Sequence, residues 1–472
     1  MRNTERTFML MGIVVTILLL MHLLPTLTIG DTPLRTVSIL SDVFNGNVEQ
    51  EHQDVIPPPS TSRSLLAEKK GKERNEKDTK AEDFKEIVPP GVTMIEDYGG
   101  DNAGGMDHFY AMLYSAKLQN RPVRIAYFGD SFIEGDIYTC DLREMLQEKF
   151  GGNGPGWIDA GSVFNKGFRR TILQDYSGIE EFQIVKKPFD LKVQGMNQRY
   201  FIPSEGSRIN TRATRHMAHA SKWQNARLFF RTQQGLTIRV TNGSQEAQTS
   251  HAAGSGKVQM IETKGEANKI GYSFANVHSK TYLYGMALES DHGVILDSYS
   301  MRGSAGFTLI SIPNSTLHDF AELRPIDLFV LHFGLNVISS KTTEASLRHY
   351  CKRIAKVVSH LQQAFPYASF LIVSVSDRSQ RTAEGITTMK GVEEMVACQR
   401  EMAAEKGIAF FDLFTAMGGR GSMKKLVDSN SANKDYTHIN LKGGKIIAEH
   451  LFKSMVAGYD NYVRRNTKKN CR

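Results

Sequence analysis

Val123-Arg124-Ile125-Ala126-Tyr127-Phe128-Gly129-Asp130-Ser131 is the stretch on which the fold turns. An apolar run ends in Gly-Asp-Ser, and a helix is expected to follow from Tyr138 to Phe150. A buried strand of this kind delivers a hydroxyl to its carboxyl end, where open α/β sheets bind their ligands. Alone, Gly-Asp-Ser is also an ordinary strand-to-loop turn, because all three residues favour turns. Its place after a buried strand is what gives it weight.

Working outward, the same pattern resumes downstream. Gly293–Asp297, Asp327–Phe333, Ser369–Ser376 and residues 408–412 read as buried strands, and residues 343–364, 391–405 and 441–455 read as helices. Strands alternating with helices predict a parallel sheet with right-handed crossovers, an α/β fold. Upstream, residues 104–119 read as a helix ended by Arg121-Pro122.

Residues 170–290 have a different character. Short strand-like runs, Ala226–Phe230, Leu236–Thr241, Lys257–Thr263 and Thr281–Leu288, are separated by Asn242-Gly243, Gly254-Ser255-Gly256 and Gly265. Hairpin turns at this spacing predict an antiparallel β-sandwich inserted into the α/β domain. Trp223, Tyr272, Tyr282 and Tyr284 are candidates for stacking on sugars, against the blander reading that aromatic residues in strands form core. Asn153-Gly154-Pro155-Gly156-Trp157 lacks dinucleotide or phosphate-loop spacing and reads as a turn lining the cleft with Trp157.

Phe8–Ile29 is apolar and long enough to cross a ~30 Å hydrocarbon core, and Arg2 and Arg6 precede it. A single-pass anchor with a cytoplasmic N-terminus is expected, the alternative being a cleaved signal peptide. Residues 31–92 read as a disordered tether, rich in charge and carrying Pro57-Pro58-Pro59. The expected order is therefore 1–30 anchor, 31–92 linker, 93–169 first part of the α/β domain, 170–290 insertion, and 291–472 second part. Apolar residues make up 40% of the 472, enough for a sizeable core, and the net charge of +8 suits an anionic envelope surface. No concentrated basic-aromatic patch suggests nucleic acid. Cys140, Cys351, Cys398 and Cys471 show no metal-ligand spacing and are expected to be buried thiols, the alternative being a disulfide in an oxidising compartment.

Further elements carry chemistry. Ser300–Gly306 is a loop containing Gly303 and Gly306, Gly334-Leu335-Asn336 follows a buried strand, and Asp435-Tyr436-Thr437-His438 lies in a polar loop before a helix. A serine hydroxyl needs a base before it attacks, and Asp at i with His at i+3 can orient one imidazole nitrogen while the other faces the serine. Each piece is weak alone; Asp-x-x-His can be a helix-entry turn with Asn440 as cap.

Taken together, Gly-Asp-Ser at the first strand, a loop glycine, Gly-x-Asn after a buried strand, and Asp-x-x-His near the C-terminus resemble the SGNH (GDSL-type) hydrolases. The resemblance spans about 120–165 and 290–458. Within that family it is nearest to peptidoglycan O-acetylesterases with an inserted carbohydrate-binding-like β module. It implies a flavodoxin-like three-layer parallel sheet, with Ser131 as nucleophile, His438 as general base and Asp435 orienting it. The Ser131 and Gly303 backbone N–H groups and the Asn336 side chain would form the oxyanion hole, Gly303 being preferred to Gly306. It implies no cofactor and no metal. The substrate would be an O-acetylated envelope glycan, the catalytic domain lying outside the cytoplasm. An O-acyltransferase working with a membrane-bound acyl donor is the alternative, and a non-catalytic glycan-binding protein the next. Arg302 is a candidate contact for an anionic substrate, or simply a surface arginine. The absence of Gly-x-Ser-x-Gly argues against an ordinary α/β-hydrolase.

Overall fold

The computed structural model describes residues 28–29, 32–33, 84–99, 105–383 and 385–470. The anticipated membrane span lies outside them except for Thr28–Ile29, which pair with Thr32–Pro33 as a two-residue antiparallel ladder. Most of the anticipated tether is outside them too. Among the described residues no helix is long and apolar enough to cross a membrane. Residues 84–99 belong to the same compact unit as the rest of the chain, and Ile87 exchanges two hydrogen bonds of 2.9 Å with the Asn461 side chain.

The central sheet runs in the spatial order Val294–Ser300, Val123–Gly129, Leu328–His332, Ser369–Val373, Ala409–Phe411, with Glu96–Asp97 at the far edge. The first five strands are parallel and the last is antiparallel. In chain order the parallel strands stand 2-1-3-4-5, the flavodoxin-like arrangement. Every residue of Val123–Gly129, Leu328–His332, Ser369–Val373 and Ala409–Phe411 is buried, which is why each reads as a mostly apolar run rather than an alternation. Thr139–Phe150, Asp107–Tyr114 and Leu441–Asn470 pack together in one helical layer; Asn314–Leu323, Glu344–Ala364 and Val392–Lys406 form the other. The topological switch falls between Val123–Gly129 and Leu328–His332, so the loops leaving these two strands open onto the crevice such sheets use.

The inserted region is antiparallel, as expected, but it is not two separate sheets. Eight strands between Ile172 and Glu289, joined by Gly156–Asp159, make one continuous hydrogen-bonded sheet of nine. Bulges at Ser177/Ile179, Lys264/Ala267 and Leu283/Gly285 let long strands bend around their own core of Ile158, Phe201, Leu228, Ile238, Phe274 and Met286. Gly265 is thus part of a bulged strand, not a turn. The Asn153–Trp157 reading also needs correction. Gly156–Asp159 pairs with Tyr282–Glu289, and Trp157 is buried against Phe229, Tyr299 and Phe320, away from any cleft. Trp223, Tyr272 and Tyr284 are core and Tyr282 is half-buried, so these aromatics are not a sugar platform.

Ionic contacts hold the insertion to the sheet. Arg324 lies between Asp297 and Glu289, each at 2.8 Å, and Arg124 reaches Glu289 at 2.7 Å; all four side chains are almost wholly buried. Asp136, at the end of the Gly-Asp-Ser loop, takes a two-pronged contact from Arg143 (2.9 Å for both bonds) and has a second cationic partner in Arg169 (3.4 Å). Burial pushes Asp136 up, but the arginines outweigh it and hold its carboxyl well below the usual range. Cys140, Cys351 and Cys398 are buried free thiols; Cys471 lies outside the described residues.

Candidate active site

Ser131 leaves the carboxyl end of the central strand, and its Oγ lies 3.0 Å from His438 Nε2. His438 Nδ1 lies 2.7 Å from Asp435 Oδ2. The loop that presents these two residues is a tight reversal. Asp435 Oδ1 accepts the backbone N–H groups of Thr437 and His438, both at 3.0 Å, and Tyr436 sits at φ +55°. Asn433 N–H and the His438 carbonyl close the loop at 2.7 Å. This local winding turns the i, i+3 pair face to face, and Asn440 then caps the following helix through Lys442 and Gly443 N–H. Burial pushes the Asp435 carboxyl up, but the His438 backbone N–H, its ring and the Thr437 N–H outweigh burial and hold it below its ordinary value. A carboxylate, a ring nitrogen and a hydroxyl therefore stand in line.

Asn336 sits on a short 3₁₀ turn, Leu335–Val337, after the next strand across the switch point. Its Nδ2 donates to Asp130 Oδ2 at 2.7 Å and to the Ser304 carbonyl at 3.1 Å. Both amide hydrogens already have acceptors, so donation to a substrate oxygen must come from the longer bond. Asp130 is nearly fully buried and also takes the Phe132 N–H at 2.9 Å, so it both stabilises the turn and aims Asn336. The partner in the second role, Asn336, lies 206 positions away in the chain.

Ser131, Asn336, Asp435 and His438 all line one cleft of about 310 Å³, together with Asp130, Phe132, Leu335, Arg378 and Thr437. Gly303 is not on its wall. It occupies the turn Met301–Ser304 at φ +74°, a backbone conformation that suits glycine, and Met301 N–H ties that turn to the Gly129 carbonyl at 2.9 Å. Among the described residues the N–H groups of Ser131 and Gly303 have no protein acceptor. Gly306 instead precedes the 3₁₀ turn Phe307–Ser311. Arg302 pairs with Glu134, the glutamate of the Gly-Asp-Ser loop, and its guanidinium stays largely exposed. A larger groove, about 790 Å³, crosses the inserted sheet by Gln174, Asn210 and Thr241, but no nucleophile–base pair lies in it.

Burial raises the Asp130 carboxyl to about 6, against the pull of the Phe132 N–H and His438. A carboxyl held up in the folded state favours folding below its unfolded value, near 4, and loses that contribution as pH rises through about 6. Asp130→Asn has no such titration. Its stability relative to wild type is therefore expected to improve by up to about 3 kcal/mol between about pH 4 and about pH 7. Urea denaturation of both proteins across this range checks it; a pH-independent difference would remove the buried charge from the account.

No protein-family model matches the sequence, and no curated protein matches it. Solved structures do. A peptidoglycan O-acetylesterase superposes at TM-score 0.63 with 21% identity, covering 78% of this chain and 99% of its own. A family two carbohydrate esterase from Cellvibrio japonicus gives 0.25 with 8% identity over 62% of this chain and 99% of its own. A GDSL-like lipase from Parabacteroides merdae gives 0.24 with 13% identity over 34% and 73%. The first likeness extends over nearly the whole of that esterase, and this chain shares its fold.

Proposed function

We propose that this chain is a serine esterase of the SGNH type that removes O-acetyl groups from a glycan of the cell envelope. The observation that carries the reading is the aligned Ser131–His438–Asp435 relay at 3.0 and 2.7 Å in an open cleft. The fold shared with a peptidoglycan O-acetylesterase supports the choice of acyl group and glycan. The apolar run 8–29 after Arg2 and Arg6 supports an anchored location with the catalytic domain outside the cytoplasm.

In this reading Ser131 Oγ attacks the acetyl carbonyl as His438 Nε2 takes its proton. Asp435 holds the ring tautomer and stabilises the imidazolium. The negative oxygen of the tetrahedral intermediate is met by the Ser131 N–H, on the cleft wall, and by Asn336, which gives up its longer bond to Ser304. Preorganised donors of this type are worth roughly 3 kcal/mol each. His438 then protonates the departing sugar oxygen, leaving an acetyl ester on Ser131. A water, deprotonated by His438, attacks that ester, and the proton returns to Ser131 as acetate leaves.

The test is acetate release from O-acetylated envelope glycan by purified protein, with acetylated product analysed by mass spectrometry. Stoichiometric free acetate supports the esterase. Acetyl groups appearing on an added sugar acceptor, with no acetate, would replace it by the acyltransferase reading.

A further inference from the structure

One cation in the catalytic cleft has no task in the relay. Arg378 lies just beyond the strand Ser369–Val373 and is half-buried on the cleft wall. Its Nη1 donates to the carbonyls of Leu335 and Ile338, both at 3.1 Å, which fixes the plane of the guanidinium. Its Nε is buried and has no hydrogen-bond partner. Among the described residues it forms no ion pair. The adjacent Asp377 is turned inward to the Met423 N–H at 2.8 Å. The two carboxylates of the cleft are committed elsewhere, Asp130 to Asn336 and Phe132, and Asp435 to His438. The backbone that carries Arg378 is pinned as well: its carbonyl accepts Met389 N–H at 2.7 Å, and Ser379 N–H reaches the Tyr436 carbonyl of the His438 loop at 3.0 Å.

We propose that Arg378 is a specificity residue that receives a carboxylate carried by the glycan beside the scissile acetyl ester. The inference rests on the esterase reading and narrows its substrate to acetylated acidic sugars, uronates or sugars bearing an O-lactyl acid. The Nη2 edge of the guanidinium makes no hydrogen bond among the described residues and, unlike the enclosed Nε, is left to meet a substrate carboxylate in a charge-assisted contact. The contact to the Leu335–Ile338 carbonyls holds this edge in a fixed relation to the turn that carries Asn336. Seating the sugar acid there would orient the neighbouring ester against the oxyanion donors.

The experiment pairs binding with turnover. Titration calorimetry compares glucuronate with glucose, and muramic acid with glucosamine, on wild type, Arg378→Gln and Arg378→Lys; acetylated forms of the same sugars are then assayed. Wild type is expected to prefer each acid over its neutral partner by at least about tenfold, and Arg378→Gln to lose that preference, with Arg378→Lys between them. A larger effect with one pair of sugars identifies the source of the acid. Arg378→Gln retaining the preference, or wild type showing none with either pair, overturns the proposal. Phenylglyoxal labelling of wild type, read by mass spectrometry, gives an answer that needs no variant: the acid, and not the neutral sugar, should protect Arg378, and equal labelling with both counts against it. Arg378-dependent binding of the acids without ester cleavage would leave the anion site standing and sink the esterase reading alone.

Discussion

Ser131→Ala is expected to reduce turnover of acetyl esters by about 10⁴- to 10⁶-fold while leaving the melting temperature nearly unchanged. The size follows from the geometry. Among the described residues the only side-chain partner of the Ser131 hydroxyl is His438 Nε2, so removing the oxygen deletes the attacking atom and strands the base. Little else changes, because the side chain is half-exposed and fills no core. What survives should be the small rate that the oxyanion donors and substrate positioning give to attack by water. Turnover within tenfold of wild type in the purified variant, with denaturation unchanged, would mean that a different group carries the chemistry. Steady-state assay with a chromogenic acetyl ester, beside a melting curve, reads both halves.

The largest expected effect on stability lies far from that hydroxyl. Arg324→Met is expected to cost about 3–5 kcal/mol, because it leaves Asp297 and Glu289 buried and facing one another without the cation between them. Burial pushes Glu289 up, and Arg124 and Arg324 together outweigh it, keeping the carboxyl well below the usual range. With Arg324 gone, that balance tips toward a protonated or unfolded acid. Asp297 also takes the Trp157 N–H at 2.9 Å, so the damage should spread to the seam between insertion and sheet. Guanidinium denaturation followed by Trp fluorescence would measure it, as both tryptophans of the chain lie in the inserted sheet. A loss below about 1 kcal/mol would show that the network is dispensable.

The sheet was readable because its strands are buried on both faces and carry that in their composition; Leu328–His332 could hardly be anything else. Ser131, Asn336, Asp435 and His438 were legible only as a set, because each is a common turn residue alone and the order of the motifs carried the resemblance; the structure brings all four to one cleft. Which inserted strands pair with which was not, since alternation reports a strand's faces and not its neighbours. The last helix shows another limit. Read to Met455, it runs on to Asn470, because Gly458, which looks like a stop, is where the Tyr110 hydroxyl packs against the helix. Arg378 carried no signal at all. Its meaning comes from two carbonyls at residues 335 and 338 and from a cleft assembled by distant loops.

The chain that leaves the α/β layers at Gly151 comes back to the same point at Gly293. Val294 N–H bonds the Gly151 carbonyl at 2.9 Å, and a side chain at Gly293 would collide with the Gly151 backbone. A polypeptide that leaves and rejoins its host at a single point behaves as a graft. Its removal, with Gly151 joined directly to the residue that now follows the graft, is sterically simple for the host topology. What resists excision is the charge seam around Arg324 and the aromatic wedge of Trp157, so a minimal catalytic core would need new apolar side chains at those few positions before it could stand alone.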